Sequence, residues 1–174
     1  MASAPKPWVL AMLIDPPEKN YFVKKKTIRY NGQLIELDRP MVVGILNVTP
    51  DSFYDGGKYT TIEDAVAHVG QMLNQGADII DIGACSTRPG ASLGSTELEI
   101  ARLQPVIRQI KRIYPEAILS IDTFRSEVAY QMVSEFGDLI INDISGGTMD
   151  SNMFKTVAQL KVPYVLMHIQ GNPH

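Results

Sequence analysis

The sequence predicts an α/β fold on a parallel sheet, and within that class a (β/α)8 TIM barrel in preference to an open doubly wound sheet. Five short apolar runs alternate with segments of helical period, the rhythm of repeated βα units. Polar side chains close every run: Asn47, Asp81, Asp122, Asn142 with Asp143, and His168. A barrel draws its site from the C-terminal ends of all its strands, whereas a doubly wound sheet concentrates it at one switch point. No G-x-G-x-x-G or Walker loop follows any run, which weakens a nucleotide-binding reading.

Residues 1–26 read as a tail or edge segment, with Lys24, Lys25 and Lys26 as a solvated face. Residues 27–37 read as a β-hairpin, because Asn31-Gly32 supplies the two positive φ angles of a type I′ turn between arms rich in β-formers. The almost unbroken apolar run 41–47 is a strand covered on both faces. After a Gly-rich polar loop, Thr60 is expected to start a helix, with Thr60 and Glu63 as a capping box and Gly76 as its C′ residue. Ala65, Val66, Val69, Met72 and Leu73 trace its buried face.

The unit then repeats. Residues 77–82 form the second strand, followed by a long loop to Ser95 and a helix to Ile113 that Pro105 is expected to kink or restart. Residues 118–121 form the third strand, with a helix over 126–136 stopped by Gly137. Residues 139–141 and a helix over 153–160 make the fourth unit, and 162–167 the fifth strand. Residues 27–174 are therefore expected to be one domain, a barrel cut short after five strands, since a closed barrel needs eight and typically about 250 residues.

Composition narrows the function classes. The chain has 45% hydrophobic and 20% charged residues, and 16 basic against 19 acidic side chains give a net charge of −3. That balance offers no general attraction to nucleic acid or to an anionic membrane. No apolar stretch approaches the ~20 residues that cross a bilayer. Residues 9–14 are apolar but lack a basic leader and a cleavage site. Cys85 is the single cysteine, so no intrachain disulfide can form, which fits a reducing cytoplasm.

Specific words occupy the strand ends. Gly44-Ile45-Leu46-Asn47-Val48-Thr49-Pro50-Asp51-Ser52-Phe53-Tyr54-Asp55-Gly56-Gly57 closes the first strand. Asp81-Ile82-Gly83 with Ser86-Thr87-Arg88-Pro89-Gly90 closes the second, and Ser120-Ile121-Asp122-Thr123 the third. Asn142-Asp143-Ile144-Ser145-Gly146-Gly147 and Met167-His168 close the last two. In this order, from Thr27 to the end of the chain, these words resemble the dihydropteroate synthase family. Read without that resemblance, Asp122 and Asn142 serve equally well as helix caps.

The resemblance implies a reaction of folate biosynthesis. A 6-hydroxymethyl-7,8-dihydropterin pyrophosphate condenses with 4-aminobenzoate, giving dihydropteroate and pyrophosphate, with Mg2+ on the leaving group. It implies that Asp122 and Asn142 bind the hydrogen-bonding edge of the pterin, with Ile144 and Met167 in apolar contact. It implies that Asn47 and Asp55 hold the metal, that Asp55 and Arg88 act in catalysis, and that Thr87 and Arg88 gather the phosphates and 4-aminobenzoate between Phe53 and Pro89. It further implies a homodimer, a sulfonamide target, and completing residues beyond His174, without which the present chain is expected to be inactive. A pterin-dependent methyltransferase domain and a non-catalytic pterin-binding protein are the alternatives. Ala84-Cys85 departs from the family pattern, and nothing marks Cys85 as a nucleophile.

Overall fold

The structure, a computed structural model, describes residues 9–11, 27–48, 61–85 and 94–167. In chain order the elements are β1 (Val9–Ala11), β2 (Thr27–Tyr30), β3 (Gln33–Glu36), β4 (Val42–Asn47), α1 (Ile62–Asn74), β5 (Ile79–Gly83), α2 (Thr96–Ile113), β6 (Ile118–Asp122), α3 (Ser126–Phe136), β7 (Ile140–Asp143), α4 (Met153–Leu160) and β8 (Tyr164–Leu166). One sheet runs β1-β4-β5-β6-β7-β8, and β2-β3 form a separate hairpin. From β4 to β8 every pairing is parallel and each strand lies beside its predecessor. A doubly wound sheet reverses its strand order at a switch point; this one does not, so its helices fall on one face in barrel fashion. β1 pairs antiparallel with the free side of β4, Val9 opposite Gly44 and Ala11 opposite Val42.

Alternation along each strand divides the apolar residues between two layers. Leu46, Ile80, Ile82, Leu119, Ile121 and Ile141 point to the helices and pack with Val69, Leu103, Ile107, Ile110, Val128 and Met132. Val43, Ile79 and Ile140 point the other way and meet Tyr30 and Met41, with Ile28, Ile35 and Leu37 of the hairpin segment against them. Asn31 and Gly32 have φ of 52° and 75°, the left-handed pair that the tight turn requires. The buried Tyr30 hydroxyl accepts from Leu119 N at 3.0 Å and donates to Ala117 O at 3.4 Å, which ties the hairpin to β6.

Helix ends show where local chemistry overrides the simplest reading. The cap of α1 is Thr61, not Thr60, and Thr60 lies outside the described residues. Thr61 is extended, at φ −139° and ψ 165°, and its Oγ1 accepts from Asp64 N at 3.2 Å. That register makes Asp64, not Glu63, the third residue of the helix. Ser95 caps α2 through Leu98 N at 3.3 Å, and the helix continues from Thr96 to Ile113 without restarting at Pro105. Gly76 follows α1 with φ of 96°, as a C′ glycine should.

Candidate functional site

Parallel register brings the strand ends into one row. Asn47 pairs with Gly83, Gly83 with Asp122, and Asp122 with Asn142. Side chains at paired positions share a face, so three of the expected site residues stand side by side at the C-terminal edge of the sheet. Gly83 is the gap in that row. A methyl group placed there would lie 3.3 Å from Asp122 Oδ2 and 3.4 Å from Asn47 Oδ1, so its absence leaves both oxygens facing one space.

The row is acidic and partly dry. Burial pushes the Asp122 carboxyl up to about 7, helped by the nearby charges of Asp81, Glu99 and Asp143. Asp81 is not at a strand end as expected, because β5 runs two residues further, to Gly83. It lies one row below, 6% exposed, and burial raises its pKa while Ser120 and Asn142 oppose the shift. Asn142 Nδ2 donates to Asp81 Oδ2 at 3.0 Å, and among the described residues Asp81 Oδ1 has no hydrogen-bond partner. Asp81, Ser120 and Asn142 form the polar end of a cleft of about 520 Å³ whose remaining walls are largely apolar.

The loop after β7 is shaped by the fully buried Asp143. Its Oδ1 accepts from Ser145 N at 2.8 Å and Ser145 Oγ at 2.7 Å, and its Oδ2 from Gly147 N at 2.9 Å and Tyr164 Oη at 2.7 Å. Burial, and then the bond to Asp143, raises the Tyr164 pKa and keeps the phenol a donor. Met167 N donates to Asp143 O at 3.3 Å, which places Met167 beside the loop that begins with the half-buried Ile144. Gly146, at φ 59°, passes so close that a Cβ would stand 2.5 Å from Met167 O.

Beneath the loop after β5, the buried Glu99 of α2 pairs with Arg125, which also donates to Gly94 O at 2.8 Å. Arg102 donates to Ala84 O at 3.0 Å. Burial, and then the Glu99 charge, raises the Cys85 thiol pKa, the opposite of what a nucleophile needs. Phe53, Asp55, Thr87, Arg88 and Pro89 lie outside the described residues, as does His168.

The donor set suits a hard cation. Among the described residues no three His, Cys, Asp or Glu side chains cluster at metal-ligating spacing. Asn47 Oδ1 and Asp122 Oδ2 face the Gly83 gap as oxygen donors. Among the described residues, two protein oxygens at one gap are a donor set of the kind Mg2+ accepts beside its waters and the oxygens of a phosphorylated ligand.

The profile of the family described as pterin binding enzyme matches residues 43–174. The chain belongs to the pterin-binding enzyme family. The chain is 51% identical over 146 residues to the mitochondrial folate synthesis bifunctional protein of Pisum sativum, covering 82% of the chain and 28% of that protein. It is 48% identical over 135 residues to the dihydropteroate synthase of Clostridium beijerinckii, covering 78% and 49%. The solved dihydropteroate synthase of Xanthomonas albilineans with 4-aminobenzoic acid matches with a TM-score of 0.74 at 42% identity, over 86% of this chain and 54% of that one. The same enzyme with 7,8-dihydropteroate matches at 0.69 and 40% identity, over 83% and 51%. The chain thus spans between 28% and 54% of the length of these relatives, and the fold it shares with the synthases is the (β/α)8 barrel type.

The sequence alone assigns no site role to Asp81, Ser120 or Glu99. Asp81 and Ser120 carry a usable signal, since each is a polar residue at an inward position of an otherwise apolar strand. Glu99 carries none, because an acidic residue in the first turn of a helix is ordinary. Among the described residues no helix is long and apolar enough to cross a membrane.

Proposed function

We propose that the protein containing this chain is a dihydropteroate synthase and that residues 27–174 supply the pterin half of its site. The observation that carries this reading is the row Asn47–Gly83–Asp122–Asn142, a carboxylate and an amide side by side beside an oxygen-lined gap. A pterin presents adjacent N–H donors and acceptors on one edge. Ionised Asp122 accepts from two of those donors, and Asn142 meets the neighbouring atoms. Ile144 and Met167 cover the ring.

The arylamine nitrogen of 4-aminobenzoate forms a bond to the exocyclic methylene carbon of the pterin. The carbon–oxygen bond to pyrophosphate breaks, pyrophosphate departs with the electron pair, and the amine proton is lost to solvent. No nucleophilic side chain is required, so positioning and electrostatics supply the rate. When bound, Mg2+ offsets charge on the leaving group, with Asn47 and Asp55 as the protein residues that would hold it. Asp55 also offsets positive charge on the pterin fragment. Thr87 and Arg88 take the anionic oxygens, Arg88 through its planar fork, and Phe53 and Pro89 flank the benzoate ring.

The solved synthases with 4-aminobenzoic acid and with 7,8-dihydropteroate support these substrate classes. The protein is read as a cytoplasmic homodimer and a sulfonamide target. The test is dihydropteroate formation by the complete protein, with Mg2+ and both substrates. Turnover that a sulfonamide suppresses and that Asn142→Ala reduces at least tenfold is the expected result. Pterin binding without turnover would leave a non-catalytic binder.

A further inference from the structure

The geometry points to Asp81 as a positioning residue that fixes the amide of Asn142, so that its carbonyl oxygen, not its NH2, is presented to the ligand. This inference rests on the reading of Asn142 as a pterin-binding residue.

Asp81 is costly where it stands. It is 6% exposed in the middle of β5, between Ile80 and Ile82, which are fully buried. A buried carboxylate is tolerated in a fold when it is paired or well hydrogen-bonded. Among the described residues Asp81 Oδ1 has no hydrogen-bond partner, while Oδ2 accepts from Asn142 Nδ2 at 3.0 Å. Among the described residues no ion pair reaches it, and Ser120, opposite it on β6, offers a neutral hydroxyl that favours the ionised form. Of its two polar neighbours, Ser120 and Asn142, the second is a member of the site row.

That interaction is informative because an amide has two different ends. Left alone, Asn142 can rotate by about half a turn and present either NH2 donors or a C=O acceptor to a ligand. A carboxylate accepts and does not donate, so an ionised Asp81 holds the NH2 end. The carbonyl oxygen of Asn142 is then left for the site, where it demands an N–H from the ligand. With Asp122 as a second acceptor in the same row, the edge selects ligands with adjacent N–H donors and rejects isosteres that carry acceptors there. The bond spans two strands, from β5 beneath to β7, so the orientation is set by the sheet and not by the mobile end of a side chain.

The experiment is a double-mutant cycle in the complete protein, read by calorimetric binding of 6-hydroxymethylpterin and by steady-state kinetics. Asp81→Ala is expected to weaken pterin binding about tenfold, the value of one misplaced hydrogen bond, and to leave the KM for 4-aminobenzoate unchanged. Asp81→Asn keeps a partner for Asn142 but can donate as well as accept, so it holds the amide only in part and a loss of about threefold to fivefold, smaller than that of Asp81→Ala, is expected. In an Asn142→Ala background, Asp81→Ala should add less than about twofold, because the residue it orients is gone. Urea unfolding of each variant checks folding, and Asp81→Leu takes the place of the alanine variant should that one not fold. Additive losses in the two backgrounds, or a loss in Asp81→Asn equal to that of Asp81→Ala, would overturn the assignment. Unchanged pterin binding in Asn142→Ala alone would refute the underlying placement of the pterin, a result distinct from lost coupling.

Discussion

Replacing Asp122 with asparagine is expected to stabilise the free protein above neutral pH while weakening its hold on a pterin. The carboxyl is moved from the usual 3.8 to about 7 by burial and by the charges of Asp81, Glu99 and Asp143. Because its folded pKa is raised, the folded state binds the proton more tightly than the unfolded chain does. The group is therefore neutral to stability well below pH 4 and increasingly unfavourable as pH rises, until it is ionised in both states above about 7. At about 1.4 kcal/mol per pH unit, the full effect approaches about 4 kcal/mol, and roughly 2–3 kcal/mol of it falls between pH 5 and pH 8. Asparagine keeps the shape without the charge. Urea unfolding of metal-free wild type and Asp122→Asn at pH 5 and pH 8 measures the difference directly. The variant should gain on the wild type by roughly 2–3 kcal/mol between the two pH values. A stability difference that is the same at both, or a variant less stable at pH 8, would refute the account of Asp122 as a strained, desolvated acceptor.

The same titration should appear in binding: pterin affinity is expected to rise with pH through about 7 as Asp122 ionises, and a calorimetric pH series on Asp122→Asn should be flat there. Gly83→Ala puts a methyl group 3.3 Å from Asp122 Oδ2 and 3.4 Å from Asn47 Oδ1, and about a tenfold loss of pterin affinity is expected with little change in unfolding midpoint. Gly146→Ala combines a φ of 59° with a Cβ 2.5 Å from Met167 O, so thermal unfolding should show a loss of about 1–3 kcal/mol. Tyr30→Phe leaves the buried Leu119 N–H without its acceptor, with an expected cost of about 1–3 kcal/mol in denaturant unfolding.

Much of the fold was legible because the signals are local. Asn31-Gly32 dictates its turn by backbone sterics alone, and the apolar runs at β4, β5 and β6 need burial on both faces wherever they are placed. Helix starts were less legible, since adjacent Thr60 and Thr61 compete for one cap and only the extended backbone at Thr61 decides between them. Asp81 counts among the strand-closing residues in the sequence although the expected strand runs to Ile82, and the pairing of Gly83 with Asp122 carries β5 one residue further and leaves Asp81 inside it. The row Asn47, Asp122 and Asn142 followed from their strand-end positions. The Asp81–Asn142 bond and the Glu99–Arg125 pair did not, because they depend on register and on helix docking across 61 and 26 residues of chain.

The most direct test of the central claim is a crystal structure of the complete protein with 6-hydroxymethylpterin bound. The account predicts the N–H edge of the pterin within hydrogen-bond distance of Asp122 and Asn142, with Asn142 still donating to Asp81. A pterin lodged elsewhere, or turned so that its N–H edge faces away from Asp122 and Asn142, would contradict it.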